Sequence, residues 1–214
     1  MSRKLVYIGL TGFTTSIMCV AAQARFYLGP VPYTMQNLGV VLAGLLLPPL
    51  YALSSQLLYL LLIALGLPVA AGFRGGLNVL FGYTAGYLWG FPIASLLVSV
   101  VSRVYLKTVG RRLSSMCSRD IVVLWLLSSL ATIPVYVLGY LVFLYYAIPG
   151  SKLYSWAENV VRDMGFSLTD PLTVLFIASV LVFIPQDVLM DHLMAVYVSR
   201  SIARILEFRG VALE

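Results

Sequence analysis

The stretch GFRGGLNVLFGYTAGYLWGF, residues 72–91, decides how the chain is read. Its six glycines, together with Asn78 and Thr84, interrupt a sequence that is otherwise oily from end to end. An unpaired backbone amide in lipid costs several kcal/mol, so a glycine-rich break at membrane depth is tolerated only where the backbone lines a cavity or packs on protein. The stretch is therefore the first place to look for a bound small molecule.

The composition around it points the same way. Of 214 residues, 61% are hydrophobic and 10% charged, and the mean hydropathy is +0.96. Soluble domains carry about 25% charge, so the chain reads as one integral membrane domain. Its apolar runs of about 20 residues suit helices crossing a hydrocarbon core about 30 Å thick, and they are too continuous for the alternation of an outer-membrane barrel. The expected fold is all-α, a polytopic helical bundle surrounded by membrane lipid. Net charge is +6, but the placement of Lys and Arg says more than their sum, so no nucleic-acid partner is inferred. Cys19 and Cys117 imply no disulfide framework, and the first apolar run is too long for a removable signal peptide.

Upstream of the glycine-rich stretch, a first span over residues 5–25 carries Gly12 and Ser16 one turn apart, with Thr11 and Thr15 beside them. Small residues at this spacing let another helix approach closely, either within the bundle or from a partner protein. Pro30 and Pro32 forbid a regular helix over residues 28–36. Two short apolar stretches, 38–47 and 50–65, meet at Pro48 and Pro49 and read as a helical hairpin. Downstream, residues 79–106 lead into a basic loop, and a fifth span over 121–147 should bend at Pro134. Residues 149–169 turn polar, with Tyr154 and Trp156 suited to an interface. The thirteen-residue run 172–184 reaches only about 20 Å. It reads as a short extra helix at the outer face, before a last amphipathic helix over 188–206.

Charge sets the orientation. With six crossings, Arg3 and Lys4, the five basic residues of the loop and three C-terminal arginines share one side. They are ten of the fourteen Lys and Arg residues. That side is the cytoplasm, so a plasma-membrane location with both termini cytoplasmic is expected. Three irregular segments, residues 28–36, 66–78 and 147–187, then open outward, carrying Gln36, Arg74, Asn78, Asp170 and Asp187. Asp187 and Asp191 stand one turn apart, placed either to cap a helix or to contact a ligand. No catalytic residues are assigned. His192 has no partner at metal-ligand spacing, two carboxylates on one helix do not make an intramembrane aspartyl protease, and no phosphate-binding loop is present.

Three ordered segments, VPYTMQNLGVVLAGLLL, LYLLLIALGLPVAAGFRGGLNVLFGYTAGYLWGFPIA and FIPQDVL, resemble the signatures of the BioY family. Members are biotin-specific substrate-binding subunits (S components) of energy-coupling factor (ECF) transporters. The resemblance implies a six-helix S-component bundle with no cofactor, biotin being the transported ligand. It implies as partners a transmembrane coupling protein and two cytosolic ATPases, with Gly12 and Ser16 on the docking face. Carried over residue by residue, Val31, Pro32, Tyr33 and Gln36 form a lid, and Arg74, Gly75 and Gly76 a loop before the fourth helix. Asn78, Thr84, Gly86 and Tyr87 line the wall, and Asp187, with Asp191 nearby, accepts hydrogen bonds from the ureido N–H groups.

Tyr83 and Ala85 stand where the family commonly has proline and glycine, and Met190 where it has a lysine. Arg74, Arg25 or Lys152 would then meet biotin's carboxylate, with Arg74 expected. Two alternatives stay open: an S component for another vitamin-like molecule, or a membrane enzyme acting on lipid-like substrates through Asp187, Asp191 and His192.

Overall fold

Among the described residues, length and apolarity make four helices able to cross a membrane: Arg3–Gln23, Ala85–Thr108, Ser118–Tyr146 and Pro171–Phe208. The computed structural model describes residues 3–28, 31–167 and 170–211. In chain order, α1 (Arg3–Gln23) is followed by an antiparallel hairpin of β1 (Arg25–Leu28) and β2 (Val31–Thr34). Then come α2 (Gln36–Leu46), α3 (Pro49–Ala64), the single turn α4 (Leu77–Leu80) and α5 (Ala85–Thr108). α6 (Ser118–Ala131) and α7 (Ile133–Tyr146) form one bent span, α8 (Lys152–Asp163) lies across the loop-rich end, and the last helix closes the bundle.

The two prolines act as expected between α2 and α3. Pro48 is extended (ψ 155°) and Pro49 starts α3 in the first helical turn, where a missing N–H costs nothing. α2 has only 11 residues, about 16 Å, so its final carbonyls end inside protein. Two of them are satisfied from α5: Ser99 Oγ donates to Leu47 O at 2.5 Å, and an Arg103 terminal N–H donates to Leu46 O at 3.5 Å. The two arms of this hairpin and the four long helices give six membrane segments.

Glycine controls how closely the helices meet. A Cβ on Gly86 would stand 2.0 Å from the Leu138 carbonyl oxygen, and one on Gly90 would stand 2.6 Å from Val135 Cα. The Gly-x-x-x-Gly pair thus seats α5 directly on the α7 backbone. Gly139 returns the contact, since its Cβ would meet the Tyr87 ring at 2.3 Å. Thr14 and Thr15 of α1 bond to Ser55 of α3 (Oγ to Oγ 2.9 Å; Thr15 Oγ1 to Ser55 O 3.0 Å), while Gly12 and Ser16 remain exposed.

One expectation is corrected. The run 172–184 is not a separate short helix, because it continues through Pro185 into the last helix. Its 38 residues reach about 57 Å. Wide turns over Ile177–Leu181 and Asp187–His192 absorb the proline, as in Val182 N–H donating five residues back to Ile177 O at 3.2 Å. The short helix at the loop-rich end is instead α8, formed by the polar segment and N-capped by Ser151, which accepts the Tyr154 N–H. The bend expected from Pro134 is present: the span breaks at Thr132, and Pro134 stands in the first turn of α7.

At the opposite end, Arg112 pairs with Glu207 at 2.7 Å and Arg204 Nε donates to Ser114 O at 2.9 Å. The basic loop and the end of the last helix are therefore clasped together.

Candidate functional site

A cavity of about 730 Å³ opens among the irregular segments at the loop-rich end. This is within the 300–1,000 Å³ typical of small-ligand sites. Its chemistry is layered. Asp187, 5% exposed, faces it from the last helix, and Tyr136 of α7 donates its hydroxyl to Asp187 Oδ2 at 2.7 Å. The wall is aromatic, with Tyr87, Phe91, Phe143, Trp156 and Phe183. Three cations, Arg25, Arg74 and Lys152, also line the cavity, each on an exposed residue.

The wide turns of the last helix draw aromatic donors onto it. A turn that departs from regular i to i−4 pairing leaves carbonyls in need of donors. Tyr87 donates to Ser179 O at 2.5 Å, Tyr33 to Val182 O at 3.0 Å, and Trp125 Nε1 to Val188 O at 2.6 Å. Tyr33 lies stacked on Phe26 (centroids 5.4 Å, 11°) and edge-on to Phe183. Burial raises the Tyr33 hydroxyl above its ordinary pKa, and the nearby Asp187 charge adds to the shift.

Of the residues proposed from sequence, Gln36, Arg74, Thr84, Tyr87 and Asp187 line this cavity. Tyr33, Gly75, Gly76, Asn78, Gly86 and Asp191 are outside the lining. Val31 and Pro32 lie in β2, with side chains outside the described residues. Tyr33 is buried behind the lining. Gly75 supports its loop, since a Cβ there would stand 2.3 Å from Leu67 O, and Gly76 takes the left-handed backbone (φ 91°) that starts α4. Asn78 is exposed on α4, and Gly86 belongs to the α5–α7 seam.

Asp191 is fully buried and accepts twice, from Gln186 Nε2 at 2.8 Å and from Leu38 N–H at 3.1 Å. Gln36 is held by Tyr59, to which its Nε2 donates at 3.1 Å, and by Thr34, which donates to its Oε1 at 3.0 Å.

Tyr136, Trp156 and Gln186 were not singled out from sequence as cavity residues. Only the position of Tyr136 two residues beyond Pro134 could have hinted at its role. Met190, at the position where the resemblance led us to look for a cation, is 42% exposed and outside the lining. Among the described residues no group of three His, Cys, Asp or Glu side chains could hold a metal.

The comparisons with known proteins fit this architecture. The model of the BioY family matches residues 2–208. The probable biotin transporter BioY of Bacillus subtilis is 49% identical over 84 residues, 39% of this chain and 45% of that one. The probable biotin transporter BioY of Pyrococcus horikoshii is 41% identical over 97 residues, 45% and 60% of the two chains. The biotin transporter BioY of Thermotoga maritima is 40% identical over 91 residues, 42% and 54%.

These alignments span about half the length of the curated relatives. The crystal structure of the S-component for biotin from an ECF-type ABC transporter superposes over 94% of both chains with a TM-score of 0.69 at 24% identity, a likeness of fold. A membrane-embedded, multi-pass chain whose residues 2–208 match that model belongs to the BioY family.

Proposed function

We propose that the chain is a biotin-capture subunit, an S component that binds biotin from the outside and delivers it through an ECF-type ABC transporter. The order of chemistry in the cavity carries this reading. A buried carboxylate suits the two N–H donors of a cyclic urea, aromatic walls suit the fused rings and aliphatic chain, and cations at the rim suit a carboxylate. The relatives are named as biotin transporters. The role is binding and delivery, without catalysis by this chain.

The partners are a transmembrane coupling protein and two cytosolic ATPases. α1 offers the docking face: Gly9, Gly12 and Ser16 are exposed together, and a Cβ on either glycine would meet nothing within 4 Å. The bundle sits in the plasma membrane with its arginine-rich end and both termini in the cytoplasm, following the positive-inside rule.

Native mass spectrometry of protein purified from cells tests ligand identity, with a biotin-sized mass adduct as the expected result. In binding isotherms, Asp187→Asn should weaken biotin by about 1–3 kcal/mol, the cost of leaving a buried donor badly paired. An unchanged isotherm removes Asp187 from the site.

A further inference from the structure

Three positive side chains face one cavity from three separate segments: Arg25 on β1, Arg74 in the loop 65–76, and Lys152 at the start of α8. Among the described residues no carboxylate pairs with any of them. A ligand with one acid group needs one such partner, and the three are not equally prepared.

Arg25 is the one held in place. Its guanidinium carbon lies 5.4 Å from the centre of the Tyr27 ring, within cation–π range. It also lies against Gly72, where a Cβ would stand 2.8 Å from Nη1 and 3.4 Å from Cζ. Gly72 has φ 74°, a conformation that disfavours any side chain.

The segments on both sides of this contact are fastened. Gln23, two residues before Arg25, donates to Val69 O at 3.1 Å and Ala70 O at 3.0 Å and accepts the Phe73 N–H at 2.9 Å. Arg25 is itself paired with Thr34 across the hairpin. Its five N–H donors have no protein acceptor among the described residues. Arg74, in contrast, spends Nε on Ala71 O at 3.1 Å. Lys152 is an exposed ammonium on a flexible stem.

We propose that Arg25 binds the terminal carboxylate of the ligand, and that Gly72 is the positioning residue that seats its guanidinium. A planar fork fixed in advance loses less freedom on pairing with a carboxylate than a mobile cation does. The assignment rests on the biotin reading above for the identity of the acid. It makes the lid hairpin the part of the chain that checks for a free acid.

The test compares biotin with biotin methyl ester in titrations of the detergent-solubilised full chain. Wild type should favour the acid by about tenfold or more, as expected for a charge-assisted pair. Arg25→Gln should bring the ratio close to one, Arg25→Lys should restore part of it, and Gly72→Ala should lower it by displacing the guanidinium. Arg74→Gln and Lys152→Gln should each lower it less than Arg25→Gln. A larger fall in either of these two overturns the assignment, as does a wild-type protein that binds acid and ester equally. A wild-type protein that binds neither form overturns the biotin reading itself.

Discussion

Asp191 accepts the backbone N–H of Leu38 at 3.1 Å, so a carboxylate on the last helix caps the start of α2 from 153 residues away. α2 has no cap side chain of its own, and its first N–H groups need a partner inside the bundle. The same carboxylate orients Gln186, which lines the cavity. Sequence spacing offered capping or ligand contact as roles for the acid pair. In the fold Asp191 caps another helix and Asp187 faces the cavity. Asp191→Ala should therefore lower stability by about 1–3 kcal/mol, the cost of orphaning a buried donor. Its effect on biotin affinity should be smaller than that of Asp187→Asn, and melting curves with paired isotherms check both.

Tyr136 reaches Asp187 across the α7 interface at 2.7 Å. Tyr136→Phe removes that donor and keeps the ring. We expect a loss of about 1.5–3 kcal/mol in stability, the range for a hydrogen bond to a charged acceptor. Thermal unfolding with and without biotin separates this from any change in ligand binding.

Gly86 and Gly12 are both glycines of apolar helices, with opposite surroundings. Gly86→Ala places a methyl group 2.0 Å from the Leu138 oxygen, whereas Gly12→Ala meets nothing within 4 Å. The first should reduce the yield of folded protein sharply, and the second should leave melting within about 1 kcal/mol, the helix-propensity difference. Gly12→Leu should retain biotin binding yet fail to co-purify with the coupling protein. Size-exclusion profiles and co-purification read out the three variants.

Asp170 caps the last helix, accepting from Thr173 N–H at 2.8 Å and from Thr173 Oγ1 at 2.5 Å. These bonds hold its carboxyl below the usual pKa of 3.8. Because the folded value is depressed, this contribution is fully present above the unfolded pKa and is lost as pH falls through the folded one. Melting temperature should drop below about pH 4, and Asp170→Asn should flatten that part of the profile.

Features that break an apolar pattern were legible in the sequence. Pro48 and Pro49, the glycine-rich stretch, Asp187 and the three cations each stand out against an oily background, and all have identifiable places in the fold. Contacts set by distant packing were not. The family resemblance placed Gly86 on the cavity wall, and nothing local reveals that α7 lies against it. Tyr136 resembles any other tyrosine of an apolar span until the last helix brings Asp187 to it. The run 172–184 was read as a separate short helix because the wide turns that carry it through Pro185 have no residue signature of their own.

The glycine seam between α5 and α7 has a mechanical corollary. Two backbones in direct contact, with no side-chain cushion between them, cannot slide without collision, so this pair behaves as a stiff wall. If the proposed ligand reaches the cavity through a movement of the chain, that movement should leave α5 and α7 in register.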